Sequence, residues 1–260
     1  MSSIQKLVKI MRQLRSPGGC PWDLKQTHQT LKPYLIEEAY EVLDAIDDGD
    51  DGEICEELGD LLLQIVFHAQ IAREEKRFDV EDVAAAISEK LIRRHPHIFG
   101  DATVDGADQV VANWEAIKAS EKEQKGKDTS VLEGVPRHLP ALLRARCVQE
   151  RAAKVGFDWS HSGEIARKTR EEVDEFLQAV AAEDAEKIEE ELGDLLFSHV
   201  NMARFLGICP EEALRKTIRK FEVRFRFIET ELKKQGKTPQ TATLEEMDRL
   251  WEGAKEGGMG

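Results

Sequence analysis

The sequence predicts an all-α protein that consists of two tandem helical-bundle modules, and two observations support this. Apolar residues recur at helical spacing in most of the chain, and few segments alternate apolar and polar residues as strands do. A pattern of carboxylates also occurs twice, which indicates a duplicated unit. The predicted helices span residues 2–15, 32–47, 53–75, 79–94, 108–124, 139–154, 163–182, 184–206, 211–234 and 243–255.

The repeat fixes the expected domain boundaries. Each copy has a Glu-Glu-x-x-Glu motif on one predicted helix and a Glu-x-x-Asp motif, within EELGDLL, on the next. The matching positions differ by 172 − 38 = 134 residues and are Glu38 with Glu172, Glu41 with Glu175, Glu57 with Glu191, and Asp60 with Asp194. We therefore expect an N-terminal module over residues 1–125, a polar linker with Gly and Pro over 126–137, and a C-terminal module over 138–260.

Fainter echoes of the repeat lie outside the carboxylate motifs. They pair Lys90 and Arg94 with Lys220 and Arg224, Trp114 with Trp251, and, more loosely, the segment PWD (21–23) with FDW (157–159). Their offsets differ slightly from that of the carboxylates, as expected when the connections between helices vary in length.

Composition excludes several classes of function. With 37 Lys and Arg against 51 Asp and Glu, the net charge of −14 argues against non-specific nucleic-acid binding, which needs a basic surface. No apolar run approaches the ~18 residues that span a membrane, and the first segment has the pattern of an amphipathic helix, so we expect a cytoplasmic protein. The four cysteines form no CxxC pair and are expected to be reduced thiols.

The duplicated carboxylates suggest a metal site. Residues three apart on a helix share a face, so two adjacent helices can bring four carboxylates together in each module. Such a cluster repels itself, and a hard divalent cation such as Mg²⁺ relieves the repulsion while it keeps sites for phosphate oxygens. We further expect Glu38 to lie in or beside an apolar stripe formed by Leu35, Val42 and Ile46, where a carboxylate needs a partner or a metal.

The carboxylate motifs and two of the histidines also allow different interpretations. A single Glu-Glu-x-x-Glu motif in an acidic protein is usually a solvated helix face, and duplication can preserve spacing in a purely structural repeat. A di-iron bundle is disfavoured because no Glu precedes a histidine by three residues, and no P-loop sequence is present. His95 and His97 flank Pro96 and are either metal ligands or, more commonly, residues at a helix end.

Six segments of the chain also resemble the MazG family of nucleoside triphosphate pyrophosphohydrolases. They are GGCPWDLKQTH (18–28), EEAYEVLDAI (37–46), EELGDLLLQIVFHAQ (56–70), KLIRRHPHIFG (90–100), VGFDW (155–159) and EEELGDLLF (189–197). The resemblance implies the all-α NTP pyrophosphatase fold and Mg²⁺-dependent hydrolysis of nucleoside triphosphates, with broad base specificity, to monophosphate and pyrophosphate, with Mn²⁺ as a substitute metal. It also implies a homodimer formed through these helices.

The resemblance assigns roles by position. In the second module the implied metal ligands are Glu172, Glu175, Glu191 and Asp194, and the equivalent acidic set of the first module is Glu38, Glu41, Glu57 and Asp60. The implied nucleotide contacts are Lys168, Glu171, Glu172, Lys187, Glu190, Asp194, Lys220, Arg224 and Trp251. Glu172 or Glu175 is the expected catalytic group that orients or deprotonates the attacking water, and Trp251 either stacks on the nucleoside or packs within the protein.

A difference between the two copies predicts which one is the main site. At the offset of 134, Lys168 and Lys187 replace Tyr34 and Glu53 of the first copy. Since a triphosphate carries a charge of about −4, lysines beside the metal favour binding in the C-terminal module. Two alternatives remain: a narrower dUTP- or phosphoribosyl-ATP-specific pyrophosphohydrolase, and a helical regulatory module that binds metal without catalysis.

Overall fold

A computed structural model describes residues 2–124 and 130–258, and these residues form twelve helices and no strand, so the all-α prediction is confirmed. The helices are α1 (Ser3–Leu14), α2 (Pro21–Lys25), α3 (Lys32–Asp48), α4 (Asp51–Glu74), α5 (Val80–Arg94), α6 (Pro96–Phe99), α7 (Ala107–Gln124), α8 (Ala141–Ala153), α9 (Ser162–Ala181), α10 (Ala185–Phe205), α11 (Pro210–Lys234) and α12 (Leu244–Glu256). No helix in the described part combines the length and the apolar character needed to cross a membrane.

Ten of these helices match the predicted segments, and two short ones were missed. Helices α2 and α6 have only five and four residues, too few for a hydrophobic period to appear. Both begin with a proline, whose fixed φ and missing N–H suit the first helical position. The four cysteines are free thiols, as expected.

The chain divides into two compact units, Met1–Lys127 and Asp128–Gly260. Residues 126–129 of the predicted linker lie outside the described residues, and residues 131–134 form a turn. Arg151 of α8 donates a hydrogen bond of 3.0 Å to the carbonyl of Gly134, which attaches this turn to the second unit.

The core of the first unit lies between α1 and α4. Met11 of α1 packs with Val66, Phe67 and Ile71 of α4, and Leu31 closes one side of the cluster. These side chains are nearly inaccessible to solvent, which is where the hydrophobic effect contributes most to folding. The second half of α4 is thereby anchored, and its first half carries the EELGDLL motif.

A tight helical hairpin is the shared element of the two units. Helices α3 and α4 are joined by two residues, and α9 and α10 by three, so each pair packs side by side and antiparallel. The second helix of each hairpin is capped by an aspartate, Asp50 or Asp184, whose carboxylate accepts hydrogen bonds from backbone N–H groups of the first turn. The preceding residue is left-handed in both, with φ of 73° at Gly49 and 55° at Glu183.

A second repeated contact joins two helices within each unit. In the first unit the guanidinium of Arg94 lies over the ring of Trp114 at 5.1 Å, and in the second Arg224 lies over Trp251 at 5.6 Å. Such cation–π contacts stabilise helix packing by about 0.5–1 kcal/mol at exposed sites. These residues recur in the sequence because α7 packs on α5 in the same way as α12 packs on α11.

The predicted apolar stripe around Glu38 is wrong in part. Val42 is buried, whereas Leu35 and Ile46 are exposed. The reason is that α3 packs chiefly against α4, so one edge of its apolar surface is left uncovered in a single chain.

Candidate metal and nucleotide site

Each hairpin brings three carboxylates together, as the repeat predicts. Carboxylate oxygens of Glu38, Glu41 and Glu57, which we call the first triad, lie within 4.8 Å of one another. The second hairpin does the same with Glu172, Glu175 and Glu191, which we call the second triad. In each triad two glutamates three apart on the first helix of the hairpin meet one glutamate of the second helix, and three hard oxygen donors at this spacing fit a Mg²⁺ ion that completes its coordination with water or phosphate.

The two aspartates of the motif lie beside the triads and are not among the groups that meet within 4.8 Å. Asp60 is close enough that its charge contributes to raising the pKa values of Glu38 and Glu57. Asp194 lines a cleft together with Glu172. The predicted four-carboxylate sets are therefore three close carboxylates and one neighbouring aspartate in each unit.

Two lysines neutralise the second triad. Lys168 donates to Glu171 at 2.7 Å and lies 2.8 Å from an oxygen of Glu172, while Lys187 lies 2.7 Å from Glu191. Glu172 and Glu191 are only 6% and 5% exposed, so they need such partners. Hydrogen bonds to Glu171 and then Glu172 raise the pKa of Lys168, and those to Glu191 and then Glu190 raise the pKa of Lys187, so both ammonium groups are charged at neutral pH.

Another predicted contact, Glu190, is an exposed residue that accepts a hydrogen bond of 3.1 Å from Lys187. Glu171 plays the same part for Lys168, and its pKa is lowered by that lysine. Each lysine thus sits between one exposed and one buried carboxylate, in reach of the second triad and of solvent.

The first triad has no such compensation. Burial, followed by the charges of neighbouring acidic groups, raises the pKa of Glu38 and of Glu57. The neutral amide of Gln64 donates to Glu38 at 3.2 Å and only partly offsets this effect. The two triads therefore have the same arrangement of carboxylates, but their negative charges repel one another without a cationic partner in the first unit and are paired with lysines in the second.

A cleft of about 590 Å³ opens beside the second triad. Lys168, Glu172 and Asp194 form one part of its lining. The rest is formed by residues that belong to none of the predicted site positions: Leu132, Val148, Gln149, Ala152, Gly156, Phe157, Asp158, Trp159, Phe197, Ser198, Asn201 and Arg204. Five of these residues belong to the family-like segments VGFDW (155–159) and EEELGDLLF (189–197), which were the available sequence signals for this wall.

One side of the cleft is held by an ion pair. Arg204 of α10 pairs with Asp158 and also donates to the side-chain oxygen of Asn201 at 3.0 Å. Hydrogen bonds from Arg204 lower the pKa of Asp158, so the carboxylate stays charged. This network fixes the position of the loop that carries Trp159.

The structure places the last three predicted contacts on other helices. Lys220 and Arg224 lie on α11, one turn apart, and Trp251 on α12 packs against Phe221 with ring centroids 5.2 Å apart. None of the three predicted residues lines the cleft.

The two histidines weighed as metal ligands lie at a helix end. His95 ends α5, directs its Nδ1 at the carbonyl of Leu91 at 2.7 Å and precedes Pro96, the first residue of α6. Among the described residues, neither histidine belongs to a group of three potential ligands, which agrees with the helix-end interpretation.

Comparison with known proteins places this arrangement in a family. A model of the MazG nucleotide pyrophosphohydrolase domain matches residues 26–99 and again residues 161–226. The chain belongs to the MazG family. Both matches include a complete hairpin with its carboxylate motifs, so the family model detects the same duplication as the offset of 134 residues.

Three relatives of this MazG chain resemble it over nearly its full length. A nucleoside triphosphate pyrophosphohydrolase of Escherichia coli K12 is 49% identical over 98% of both chains. A nucleoside triphosphate pyrophosphohydrolase/pyrophosphatase MazG of Thermotoga maritima is 51% identical over 97% of this chain and 96% of its own. The uncharacterized protein YabN of Bacillus subtilis is 50% identical over 95% of this chain, which spans 50% of that protein.

Matched substitutions in the two MazG modules test the electrostatic contrast. The pKa of Glu38 in the folded protein lies above its ordinary value of 4.5, so folding favours the protonated form. The stability that this group contributes is therefore lost as the pH rises from 4.5 through the folded-state pKa. We expect Glu38→Gln to raise the urea midpoint at pH 7 in EDTA and to lose this advantage near about pH 3, where both states are protonated.

The matched variant Glu172→Gln removes a partner of Lys168 and is expected to lower the free energy of unfolding at pH 7 by about 1 kcal/mol. The loss stays this small because solvent screens the charge of Lys168, which is partly exposed. Equal shifts of the two midpoints in the same direction would contradict the contrast.

Proposed function

We propose that this protein hydrolyses nucleoside triphosphates to nucleoside monophosphate and pyrophosphate with Mg²⁺, and that the C-terminal module is its main site. The observation that carries this proposal is the pair of lysines bonded to the buried carboxylates of the second triad. A site for a metal–triphosphate complex needs both hard oxygen ligands and cations for the phosphate charge, and the second hairpin supplies both. The names of the E. coli and T. maritima relatives support the same reaction.

The proposed roles of the residues follow from their exposure to solvent. Glu172 and Glu191 are buried and, with Glu175 and Asp194, would hold the ion, with Mn²⁺ as a substitute. When bound, the metal offsets negative charge on the phosphate chain. Lys168 and Lys187 would turn from the carboxylates to phosphate oxygens, which flexible side chains with exposed ammonium groups can do. Lys220 and Arg224 of α11 would add two further positive charges that hold the phosphate chain.

Glu175 is the best general base for the attacking water. Its side chain is 43% exposed, against 8% for that of Glu172, and its nearest oxygen is 4.0 Å from Lys168, too far for a hydrogen bond. A carboxylate that keeps contact with solvent can orient a water molecule and accept its proton. Broad base specificity is part of the proposal, since both named relatives are described by the whole substrate class.

The proposed reaction is tested by product analysis and a pair of variants. Each common NTP and dUTP, incubated with Mg²⁺, should yield monophosphate and pyrophosphate, and EDTA should stop the reaction. Glu175→Gln should lower kcat at least about 100-fold by removing the general base, whereas Glu41→Gln at the equivalent position should cost less than about fivefold.

Chromatography of the nucleotides together with a pyrophosphate assay measures both effects. Release of diphosphate and phosphate would refute the proposed bond cleavage. Loss of turnover in Glu41→Gln with retention in Glu175→Gln would refute the assignment to the C-terminal module, and metal binding without turnover would favour a regulatory module.

We also propose that two copies of the chain associate through the hairpins. The second half of α4 is buried in the core of the first unit, but Leu58 and Ile65 of this helix remain exposed. In the second unit Leu177 and Leu196 are likewise exposed on α9 and α10. Uncovered apolar side chains on the same hairpin in both units are typical of an interface.

The dimer is tested by one charged substitution in each of two places. Leu196→Glu, at a side chain that is 51% exposed, should convert the protein from dimer to monomer by light scattering, because a carboxylate cannot be buried in an apolar interface without a large penalty. Leu244→Glu, at a leucine of α12 that is 78% exposed, is the control and should remain dimeric. A wild-type monomer at micromolar concentration would exclude the dimer.

A further inference from the structure

Two histidines of the first unit, His28 and His68, are hydrogen-bonded to each other, and we call them the histidine pair. His28 lies in the connection between α2 and α3, and its Nδ1 is 2.7 Å from Nδ1 of His68 on α4. The two ring planes differ by only 3°, with centroids 5.0 Å apart. On its other side, Nε2 of His28 lies 2.7 Å from a guanidinium nitrogen of Arg77, which follows α4. The pair thus ties two connections between helices to α4.

The guanidinium of Arg77 determines where the protons of the pair lie. Arginine can only donate, so Nε2 of His28 must be unprotonated to accept. The proton of a neutral His28 therefore lies on Nδ1, which donates to Nδ1 of His68. The proton of a neutral His68 then lies on Nε2, a buried atom without a hydrogen-bond partner among the described residues. Both hydrogen bonds of the pair consequently require neutral rings.

We propose that the histidine pair is an acid-sensitive latch, which holds the turn 26–31 on α4 only while both rings are neutral. An added proton on His28 would point at the guanidinium of Arg77, and one on His68 would point at the N–H of His28. Either proton replaces a hydrogen bond by a contact between two donors, beside the fixed charge of Arg77. The latch does not depend on the activity of the second unit.

The latch acts on the core of the first unit through the turn that carries His28. This turn ends at Leu31, which is buried and packs in the cluster around Met11 and Phe67. The turn has a second attachment, a hydrogen bond of 3.2 Å from a guanidinium to the carbonyl of Gln26, which does not involve the histidines. We therefore expect an open latch to loosen the turn and to leave it attached at Gln26.

The charges around the pair set the pH range in which the latch opens. Burial, followed by the charge of His28, lowers the pKa of His68 below its ordinary value of 6.5. An unfolded or opened His68 therefore takes up a proton at a higher pH than the closed one. The stability contributed by the closed pair is complete above about pH 6.5 and is lost as the pH falls through the folded-state pKa. Arg77, the cation in contact with the pair, is itself bonded to Glu75 at 2.7 Å.

The charged groups of the helices packed around α4 have partners of their own. Arg15 of α1 pairs with Glu74 at 2.8 Å, and Glu38 of α3 accepts a hydrogen bond of 3.2 Å from Gln64. Asp79 caps α5. Among the described residues none of these carboxylates forms an ion pair with the histidines. A positive charge on the pair would thus have no carboxylate in contact with it.

The second unit lacks the histidine pair and serves as an internal control. At the offset of 134 residues, Met202 stands where the first unit has His68. A thioether does not take up a proton in this pH range. The second hairpin should therefore not loosen over the range in which the latch of the first unit opens.

The latch is tested by amide hydrogen exchange on the full-length protein at about pH 7 and about pH 5.5. The N–H of Leu31 donates to Thr27 and that of Lys32 to Gln29 within the turn, so their protection reports its opening. After correction for intrinsic exchange rates, their protection should fall at least about tenfold, the factor for one histidine that takes up its proton only in the open state. Protection of Ile188 in the second hairpin should change less than about twofold.

The double variant His28→Asn, His68→Gln keeps side chains that donate and accept hydrogen bonds but removes both titrating rings. Protection of the turn should then change less than about twofold between the two pH values. His199→Gln, at an exposed histidine of α10, is the matched control and should keep the wild-type response. Circular dichroism melting curves check that each variant is folded, and the single variant His68→Met, which should reduce the fall, replaces the double variant if that one does not fold.

Three results would overturn the latch. They are unchanged protection of the turn in the wild type, a fall of the same size in the folded variants that lack the pair, and an equal loss of protection in the second hairpin. Since hydrogen exchange does not require turnover, a failure of the latch is distinguishable from a failure of the proposed function.

Discussion

The neutralisation of buried carboxylates by Lys168 and Lys187 is the interaction on which the second unit depends. Two glutamates that are almost fully buried cannot stay charged side by side without a cation, and each lysine contacts one of them within 2.8 Å. Because both lysines also reach solvent, they can exchange a carboxylate for a phosphate oxygen. The same contacts that stabilise the hairpin thus prepare it to bind a metal–triphosphate complex.

The first unit shows the same backbone without this compensation. Its hairpin also has an aspartate cap preceded by a residue in the left-handed conformation, so the geometry of the triad is preserved. Tyr34 and Glu53 stand where the second unit has lysines, and the pKa values of Glu38 and Glu57 are raised as a result of burial and mutual repulsion. Two sequence differences within the duplicated hairpin, at the positions of the two lysines, therefore account for the different electrostatics of the two modules.

Much of this arrangement could be predicted from the sequence. Helix positions followed from apolar periodicity, and the meeting of the triads followed from residues three apart in two copies, since both depend on local spacing. The cleft could not be predicted this way. Trp159, Gln149 and Arg204 come from a loop and two helices that converge only in the folded unit, and no regular spacing links them. The exposure of Leu35 and Ile46 was also missed, because it depends on which neighbours cover α3 and not on the pattern of α3 itself.

Lysine neutralisation is what should make the second triad the catalytic one, and the double variant Lys168→Met, Lys187→Met tests this most directly. Methionine keeps most of the side-chain volume and removes both charges. We expect kcat/KM for ATP to fall by about 100-fold or more, while calorimetric titration with Mg²⁺ shows binding at least as tight as in the wild type, because the carboxylates lose competing cations. Turnover within about twofold of the wild type would contradict the catalytic role of the two lysines.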